Sequence, residues 1–180
     1  LEFNGDITTW DTGSVENMAF MFLSNQDFNQ DISSWNTEQV TRFDNMFNGT
    51  DSFNQPIGSW NTASATNMNG MFRNAAVFDQ PLNEWEVSNV TNMAWLFGDA
   101  TLFNQPLDQW DTSQVESMVN MFAYTEQDGR GPTAFNQNLS AWDISSTTDM
   151  TDMFFGAGLS TANQNATLES WASQASSSNI

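Results

Sequence analysis

Apolar residues recur along this chain with a period of 25 residues. Tryptophan marks the period most clearly, because five tryptophans lie 25 positions apart and the next follows after 32. The extra seven residues are placed at 126–132, since Phe122 and Phe135 are 13 residues apart where the equivalent earlier interval is six. The marker residues are Trp10, Trp35, Trp60, Trp85, Trp110 and Trp142.

Six further apolar positions keep a fixed distance from each tryptophan. Phenylalanine stands seven positions before it and twelve after it, Ile or Leu stands three before it, and Val, Met or Phe predominates at five, eight and eleven after it. A unit of 25 residues cannot bury an apolar face alone, so successive units must pack on one another. The pattern therefore predicts a solenoid of six coils.

Each coil is predicted to contain a short parallel strand and a short helical turn. The segment ending at tryptophan, such as residues 31–35, is bounded by turn formers, and Pro56, Pro81 and Pro106 directly precede it in three coils. Proline suits the first position of a strand because it cannot donate to the ladder. Residues 90–97 then place apolar side chains at relative positions 0, 3, 6 and 7, which is helical spacing. This is an α/β solenoid on the leucine-rich-repeat plan.

The same segments resemble a known repeat family. The run FNQPIGSWNT at 53–62, followed by TNMNGMF at 66–72, resembles the repeat of BspA-like leucine-rich-repeat surface proteins of mycoplasma lipoproteins, other bacteria and some microbial eukaryotes. The resemblance covers about residues 3–155, and residues 158–163 and 168–172 resemble that family's closing segment. It implies a secreted or cell-surface module used in adhesion or recognition, without enzymatic activity.

The chain is thus expected to divide into a coil array and a cap. Residues 1–155 form the array, with its insertion at 126–132, and residues 156–180 form a C-terminal helical cap and tail. Leu168 and Trp171 are three positions apart, so both are expected to cover the last coil. The pattern begins within a coil, and residues 173–180 look like the start of a flexible linker, which suggests a piece of something longer.

Charge and composition exclude several classes of function. There are 22 acidic residues against three arginines, giving a net charge of −19, and the chain has no lysine, histidine or cysteine. Nucleic acid and anionic membranes are poor partners for such a chain. The ligands of zinc and iron–sulfur sites are missing, as are the groups of Ser-His-Asp, Cys-His and Schiff-base catalysis. The longest apolar runs are a few residues, too short to span a bilayer. We expect no enzyme and no cofactor.

The fully regular polar and methionine columns are assigned to the scaffold. Asn or Asp follows each column phenylalanine and Gln follows it in most coils, which indicates a polar ladder between coils. Methionine at helical spacing beside a column phenylalanine is typical of core. The Asn and Asp column is Asn4, Asn29, Asn54, Asp79, Asn104 and Asn136.

Acidic residues offer one weak metal candidate. Asp6 and Asp31 occupy the same column in adjacent coils, but a stacked pair on an open face lacks the enclosure of a glycosidase site. Their oxygens could bind calcium, although no EF-hand loop is present.

Two columns vary between coils and are the best candidates for binding. They lie ten and thirteen positions after tryptophan and are neighbours on one surface. Phe20, Leu23 and Trp95 are apolar there where sibling coils are mostly polar, so we expect exposed contact points. In the alternative, Phe20 and Leu23 cover the open first coil and Trp95 packs across a glycine-rich neighbour.

Two other places are candidates for ligand binding. The outward side of the predicted strands carries small polar residues, among them Asn83 and Asp108, which would suit a carbohydrate or an extended peptide. The insertion carries Arg130 and is either a binding loop or a tolerated surface bulge.

The leading functional expectation is a non-catalytic, extracellular or cell-surface recognition module. It would bind a protein or a carbohydrate through one face of the solenoid, as a monomer or as part of a longer chain. The alternative is a structural or surface-adsorbing solenoid that meets mineral, ice or calcium through regular threonine and acidic faces. The threonine columns are Thr12, Thr37, Thr62 and Thr112, and Thr41, Thr66, Thr91 and Thr148.

Overall fold

The computed structural model describes residues 3–125 and 131–177. Within them the chain forms a single α-helix, α1, at Thr161–Ser177, and otherwise consists of turns joined by isolated parallel bridges. We begin each coil at the phenylalanine that stands seven positions before its tryptophan. The six coils are residues 3–27, 28–52, 53–77, 78–102, 103–134 and 135–159. Successive coils are joined by the bridges Asn17–Arg42, Arg42–Asn67, Asn67–Asn92, Asn92–Ser117 and Ser117–Asp149, and Thr133–Ala157 is a second bridge between coils 5 and 6.

Each coil is hydrogen-bonded to the next in parallel register. Between coils 3 and 4, the N–H of Met68 donates to the carbonyl of Asn92 (3.0 Å), and the N–H of Thr91 donates to the carbonyl of Thr66 (3.0 Å). The same pair of bonds recurs between coils 4 and 5. There the N–H of Met93 donates to the carbonyl of Ser117, and the N–H of Glu116 donates to the carbonyl of Thr91. The 25-residue period of the sequence is therefore also the period of the hydrogen bonding.

The segment after each bridge alternates between bonds to the next coil and bonds within its own coil. Gly70 donates its N–H to Ala94 of the next coil (2.8 Å), and Met71 donates back to Met68 (3.2 Å). This alternation needs left-handed backbone at two positions in a coil, ten and fourteen after tryptophan. The first column, with φ between 53° and 61°, is Phe20, Asn45, Gly70, Trp95, Asn120 and Asp152. The second, with φ between 57° and 71°, is Ser24, Gly49, Asn74, Asp99 and Gly156.

The strand and helical turn expected in each coil are not where the sequence pattern puts them. The segment ending at tryptophan is a turn, in which Trp35 donates its N–H to the Ile32 carbonyl (3.1 Å) and Asp31 accepts from the N–H of Ser33 (3.0 Å). These local bonds replace a strand ladder. The residues five to twelve positions after tryptophan, where the helical turn is expected, contain the parallel bridge and then the alternating turns. They form no α-helix, because the left-handed residue interrupts the helical hydrogen bonds.

Aromatic columns form the centre of the stack. Rings of the phenylalanine column twelve after tryptophan follow one another at 5.6–5.9 Å between centroids from Phe22 to Phe154. Tryptophans stack in register too, with Trp60 and Trp85 at 6.4 Å, and the indole N–H of Trp60 donates to the Ile32 carbonyl of the preceding coil (3.1 Å). Each such fully buried side chain contributes roughly 1.5–3 kcal/mol before chain entropy is subtracted. The methionine columns are buried in the same core, apart from the half-exposed Met21 and the partly buried Met150.

Helix α1 covers the side of coil 6 that a further coil would cover. Trp171 is buried and stacks on Phe154 at 6.1 Å, and the Thr167 hydroxyl accepts the N–H of Leu139 (3.1 Å). Gln174 both accepts the N–H of Ile144 (2.9 Å) and donates to the carbonyl of Trp142 (2.8 Å). Leu168, expected to share this role, is 47% exposed.

Candidate recognition surface

The variable columns lie on one side of the stack, which we call the variable face. Its members stand ten and thirteen positions after tryptophan, and the backbone of every residue in the first of these columns is left-handed. Asparagine, aspartate and glycine suit that conformation, whereas a bulky aromatic residue there costs about 1–2 kcal/mol. The face comprises Phe20, Leu23, Asn45, Asn48, Gly70, Arg73, Trp95, Gly98, Asn120, Ala123, Asp152 and Phe155.

Trp95 is held between an arginine and a glycine. The guanidinium carbon of Arg73, in the preceding coil, lies 3.9 Å from the centroid of the indole ring. On Gly98 a Cβ atom would come within 2.6 Å of the indole Cε3, so only glycine leaves room for the ring. Trp95 is accordingly half-buried. It packs across a glycine, as the alternative interpretation of the sequence requires, and its ring orients Arg73.

The two described arginines have different electrostatic surroundings. Arg42 is paired within its own coil, where its Nε and Nη2 donate to the two carboxylate oxygens of Asp44, both at 2.9 Å. Asp44 raises the pKa of Arg42 through these bonds and its charge. Arg73 forms no ion pair with any described residue, and its Nε is buried without a hydrogen-bond acceptor there. Arg130, the cation of the insertion, lies outside the described residues.

Phe20 and Leu23 occupy the outer end of the variable face. Phe20 is 51% exposed and Leu23 is 44% exposed. Leu23 lines a shallow apolar groove of about 330 Å³ together with Phe3, Trp10 and Met21, on the side of coil 1 that faces away from coil 2. Leu23 thus borders the open first coil, while Phe20 is not part of that groove's lining.

Asn83 and Asp108 contact each other across adjacent coils. The Asn83 side-chain amide donates to the Asp108 carboxylate (3.0 Å), and the side-chain oxygen of Asn83 accepts the backbone N–H of Gln109 (3.1 Å). Asp108 and Ser140 line a polar cleft of about 370 Å³ between coils 5 and 6. The structure therefore brings these two sequence candidates together, as partners of one another.

Asp6 and Asp31 each serve a turn in their own coil. The hydroxyl and N–H of Thr8 donate to Asp6 (2.7 and 3.0 Å), and these bonds hold the pKa of Asp6 below its ordinary value of 3.8. Ser33 lowers the pKa of Asp31 in the same way. In the part of the chain that the structure describes, no three acidic side chains converge as a metal site would require.

The regular polar columns hold coils together. The side-chain oxygen of Asn29 accepts the N–H of Asn54 (3.0 Å), and Gln55 donates to the carbonyl of Asn29 (3.0 Å), which confirms the polar ladder. The first threonine column is buried, and the Thr37 hydroxyl, for example, donates to the carbonyl of Asn61 (2.9 Å). In the second, exposed column the Thr66 hydroxyl donates to the carbonyl of Thr41 (3.2 Å). These side chains are used by the fold.

Sequence reasoning missed the left-handed columns and the role of Arg73. The signal for the first was present, since four of six residues ten positions after tryptophan are Asn, Asp or Gly. These types enter left-handed backbone most readily. Arg73 has no comparable signal, because its contact with Trp95 joins residues 22 positions apart in different coils.

Two overlapping parts of the chain match one family. The model of the family described as "Mycoplasma protein of unknown function, DUF285" matches residues 1–101 and, a second time, residues 78–179. The two matches overlap at residues 78–101 and together span residues 1–179. No curated protein and no solved structure matches the chain. Among the described residues, no helix combines the length and apolarity needed to cross a membrane.

Proposed function

Because the chain belongs to the family described as Mycoplasma protein of unknown function, DUF285, and repeats one 25-residue unit, we propose that it is a non-catalytic recognition module of a secreted or cell-surface protein. It binds a protein or a carbohydrate through the variable face. The partner contacts side chains that differ from coil to coil, while the scaffold beneath them stays regular.

The proposed architecture is a solenoid of the BspA-like leucine-rich-repeat type. Parallel bridges at a spacing of one repeat support it, as do the aromatic columns that run through all six coils. A solenoid offers an extended surface whose residues change independently, because each coil contacts only its neighbours. Such a surface suits recognition better than the enclosed, water-excluding site that catalysis needs.

The observation that carries the proposal is the presence of aromatic residues at strained positions of the variable face. Phe20 and Trp95 have φ of 61° and 60°, in a column where the other coils place Asn, Gly or Asp. Backbone strain of this kind persists only where surrounding contacts hold it, and it clusters at functional sites. The aromatic residues therefore mark coils 1 and 4 as the places where a partner makes contact.

The adsorption alternative receives less support from the same contacts. A regular threonine face needs hydroxyl groups that are free to order water or mineral ions, and the first column is buried while both columns donate to backbone carbonyls. The carboxylates that serve turns are already hydrogen-bonded in place, as Asp6 and Asp31 are. We therefore favour recognition by the variable face.

A binding screen with matched variants tests this proposal. The wild-type chain is applied to glycan and protein arrays beside a Phe20→Asn/Trp95→Asn double variant, which copies the residue of coil 2 at the same backbone position. Leu102→Ser is the control, because Leu102 is 54% exposed, lies outside the variable face and stands where coil 2 has Ser52.

We expect the double variant to bind its array ligands about tenfold or more weakly, since a few large side chains usually carry most of the binding free energy of an interface. The control should retain them, and far-UV circular dichroism should show both variants folded. A folded double variant that binds every ligand as the wild type does would exclude the variable face as the binding surface.

A further inference from the structure

Arg73 has lost water around part of its guanidinium without gaining an acceptor. Its Nε is buried and no described residue accepts a hydrogen bond from it, while the indole of Trp95 lies flat beneath the group at 3.9 Å. A buried donor without a partner costs about 1–3 kcal/mol. Because Nε has almost no accessible surface, a ligand can reach the guanidinium only through its two Nη groups, which form no ion pair with a described residue.

The surroundings hold Arg73 in place at a cost to the backbone. The backbone of Trp95 is left-handed, with φ of 60°, and this conformation places the indole ring against the guanidinium. Gly98 has no Cβ and so leaves the space that the ring occupies. The cation–π contact returns roughly 0.5–2 kcal/mol, which is about the size of the strain. The contact between Arg73 and Trp95 thus adds little to the stability of the fold. Its result is a guanidinium held in one position, where a ligand can bind it.

Arg42 shows within the same chain how a guanidinium pairs with a carboxylate. Asp44 accepts from Nε and from Nη2 of Arg42 at 2.9 Å each, a bidentate pair whose planar geometry matches a carboxylate. Arg73 has no carboxylate from the described residues, and because its Nε is buried it offers a carboxylate the two Nη groups at the end of the guanidinium. The missing partner is therefore expected to bring a carboxylate of its own.

Side-chain amides flank Arg73 on the variable face. The amide of Asn48 donates to the oxygen of Asn45 (2.8 Å), and Asn74 donates to the oxygen of Asn48 (3.3 Å). The oxygen of Asn45 also lies against Gly70, where an added Cβ would be 2.6 Å from it. A carboxamide carries both donors and an acceptor, which suits the hydroxyl groups of a sugar.

We propose that Arg73, oriented by Trp95 and flanked by Asn45 and Asn48, is a binding site for a saccharide that carries a single carboxylate. The inference rests on the proposed recognition function and names its ligand class. One carboxylate is expected because the net charge of −19 repels polyanions. The sugar hydroxyls contact the amides of coil 2 while the carboxylate pairs with Arg73.

The test uses the chain with cellobiouronic acid as the probe and cellobiose as its uncharged counterpart. Arginine Nε–H signals in a ¹⁵N-correlated NMR spectrum report the site directly, because the chain has only three arginines. Arg73→Gln identifies its signal and removes the site. Arg42→Gln is the matched control, since it removes the same charge from a guanidinium that is already paired.

Cellobiouronic acid at about 10 mM should shift the Arg73 Nε–H signal and leave that of Arg42 in place, whereas cellobiose should shift neither. Arg73→Gln should weaken binding at least about tenfold, and Arg42→Gln should change it by less than about twofold. Both variants should keep the circular dichroism spectrum of the wild type, and Arg42→Gln should lower the melting temperature because it leaves the buried Asp44 carboxylate without its cation.

Three results would overturn the inference. The first is an Arg73 signal that does not shift when the acidic sugar is added, and the second is unchanged affinity in a folded Arg73→Gln variant. The third is a blocked glutamate that binds as tightly as the acidic sugar, which would assign the site to acidic peptides. If any of these appears while the Phe20→Asn/Trp95→Asn variant still loses its array ligands, recognition by the variable face stands and only the ligand class fails. If the double variant keeps its array ligands and the Arg73 signal does not shift with the acidic sugar, both proposals fail.

Discussion

At the scale of single residues, backbone conformation decides which side chains the variable face can carry. Every coil is left-handed ten positions after tryptophan, with φ between 53° and 61°. Asn45, Asn120 and Asp152 meet this requirement with short polar side chains, which tolerate the conformation. Phe20 and Trp95 meet it against their preference. The backbone conformation explains the asparagine, aspartate and glycine residues in this column. It does not explain the two aromatic residues, which need another cause.

Asn120 offers a measure of this backbone requirement. Asn120→Ala should lower the free energy of unfolding by about 1 kcal/mol, because a Cβ without a compensating polar group is strained at φ of 53°. Asn120→Gly, which removes the Cβ, should cost distinctly less. Urea denaturation measures both. Equal stability of the two variants would mean that the left-handed conformation is not what selects asparagine there.

At the scale of elements, α1 takes the place of a seventh coil. Its side chains reproduce the contacts that one coil offers the next: Trp171 continues the phenylalanine column, and Asn163 donates to the carbonyl of Asn136 (2.7 Å) as Gln55 donates to Asn29 (3.0 Å). A helix satisfies its own backbone, so it can close the stack without offering another ladder edge. Repeat arrays need terminal elements of this kind.

Trp171 should carry most of the cap's contribution to stability. Trp171→Ala should lower the free energy of unfolding by about 3 kcal/mol, because it removes a buried ring from Phe154. Trp171→Phe should cost at most about 1.5 kcal/mol, since it keeps a ring and removes a buried indole N–H that has no partner among the described residues.

Leu168→Ala is the control for the cap, because Leu168 is 47% exposed and should contribute little. Hydrogen exchange should rise first in coil 6 when Trp171 is replaced by alanine. If Leu168→Ala proved as destabilising as Trp171→Ala, the stack on Phe154 would not be the main contact of the cap.

At the scale of the whole molecule, stability is expected to pass from coil to coil through nearest neighbours. Phe72 in coil 3 contacts Phe47 before it and Phe97 after it, at 5.6 and 5.7 Å. Phe22 in coil 1 has a column neighbour, Phe47, among described residues on one side alone, at 5.6 Å. Loss of an interior ring therefore weakens two interfaces, and loss of the first ring weakens one.

Phe72→Ala should accordingly separate unfolding into two transitions. The ring is fully buried, so its loss should cost about 3–5 kcal/mol and uncouple the coils on either side of coil 3. Phe22→Ala should raise hydrogen exchange in coil 1 and leave coils 3–6 protected. Hydrogen-exchange mass spectrometry distinguishes the two patterns, and a single cooperative transition in Phe72→Ala would contradict the nearest-neighbour picture.

The sequence by itself determined the repeat and the contents of the core. The spacing of Trp60 and Trp85 places both rings in one file, and the Asn and Gln columns predict the ladder that Asn29 and Gln55 form. The three-residue spacing of Leu168 and Trp171 predicts the cap as well, and of the two only Trp171 is buried in it. Burial and side-chain pairing depend on which residue type recurs every 25 positions, and this recurrence can be read directly from the sequence.

Only the tertiary structure decided the path of the backbone and the contacts made between coils. The turn at Trp35 replaces an expected strand, and the left-handed position at Trp95 replaces an expected helical turn. The pairing of Arg73 with Trp95 follows from that path. The physical reason is that a backbone hydrogen bond to the neighbouring coil competes with one inside the coil, and the apolar periodicity is the same whichever of them prevails.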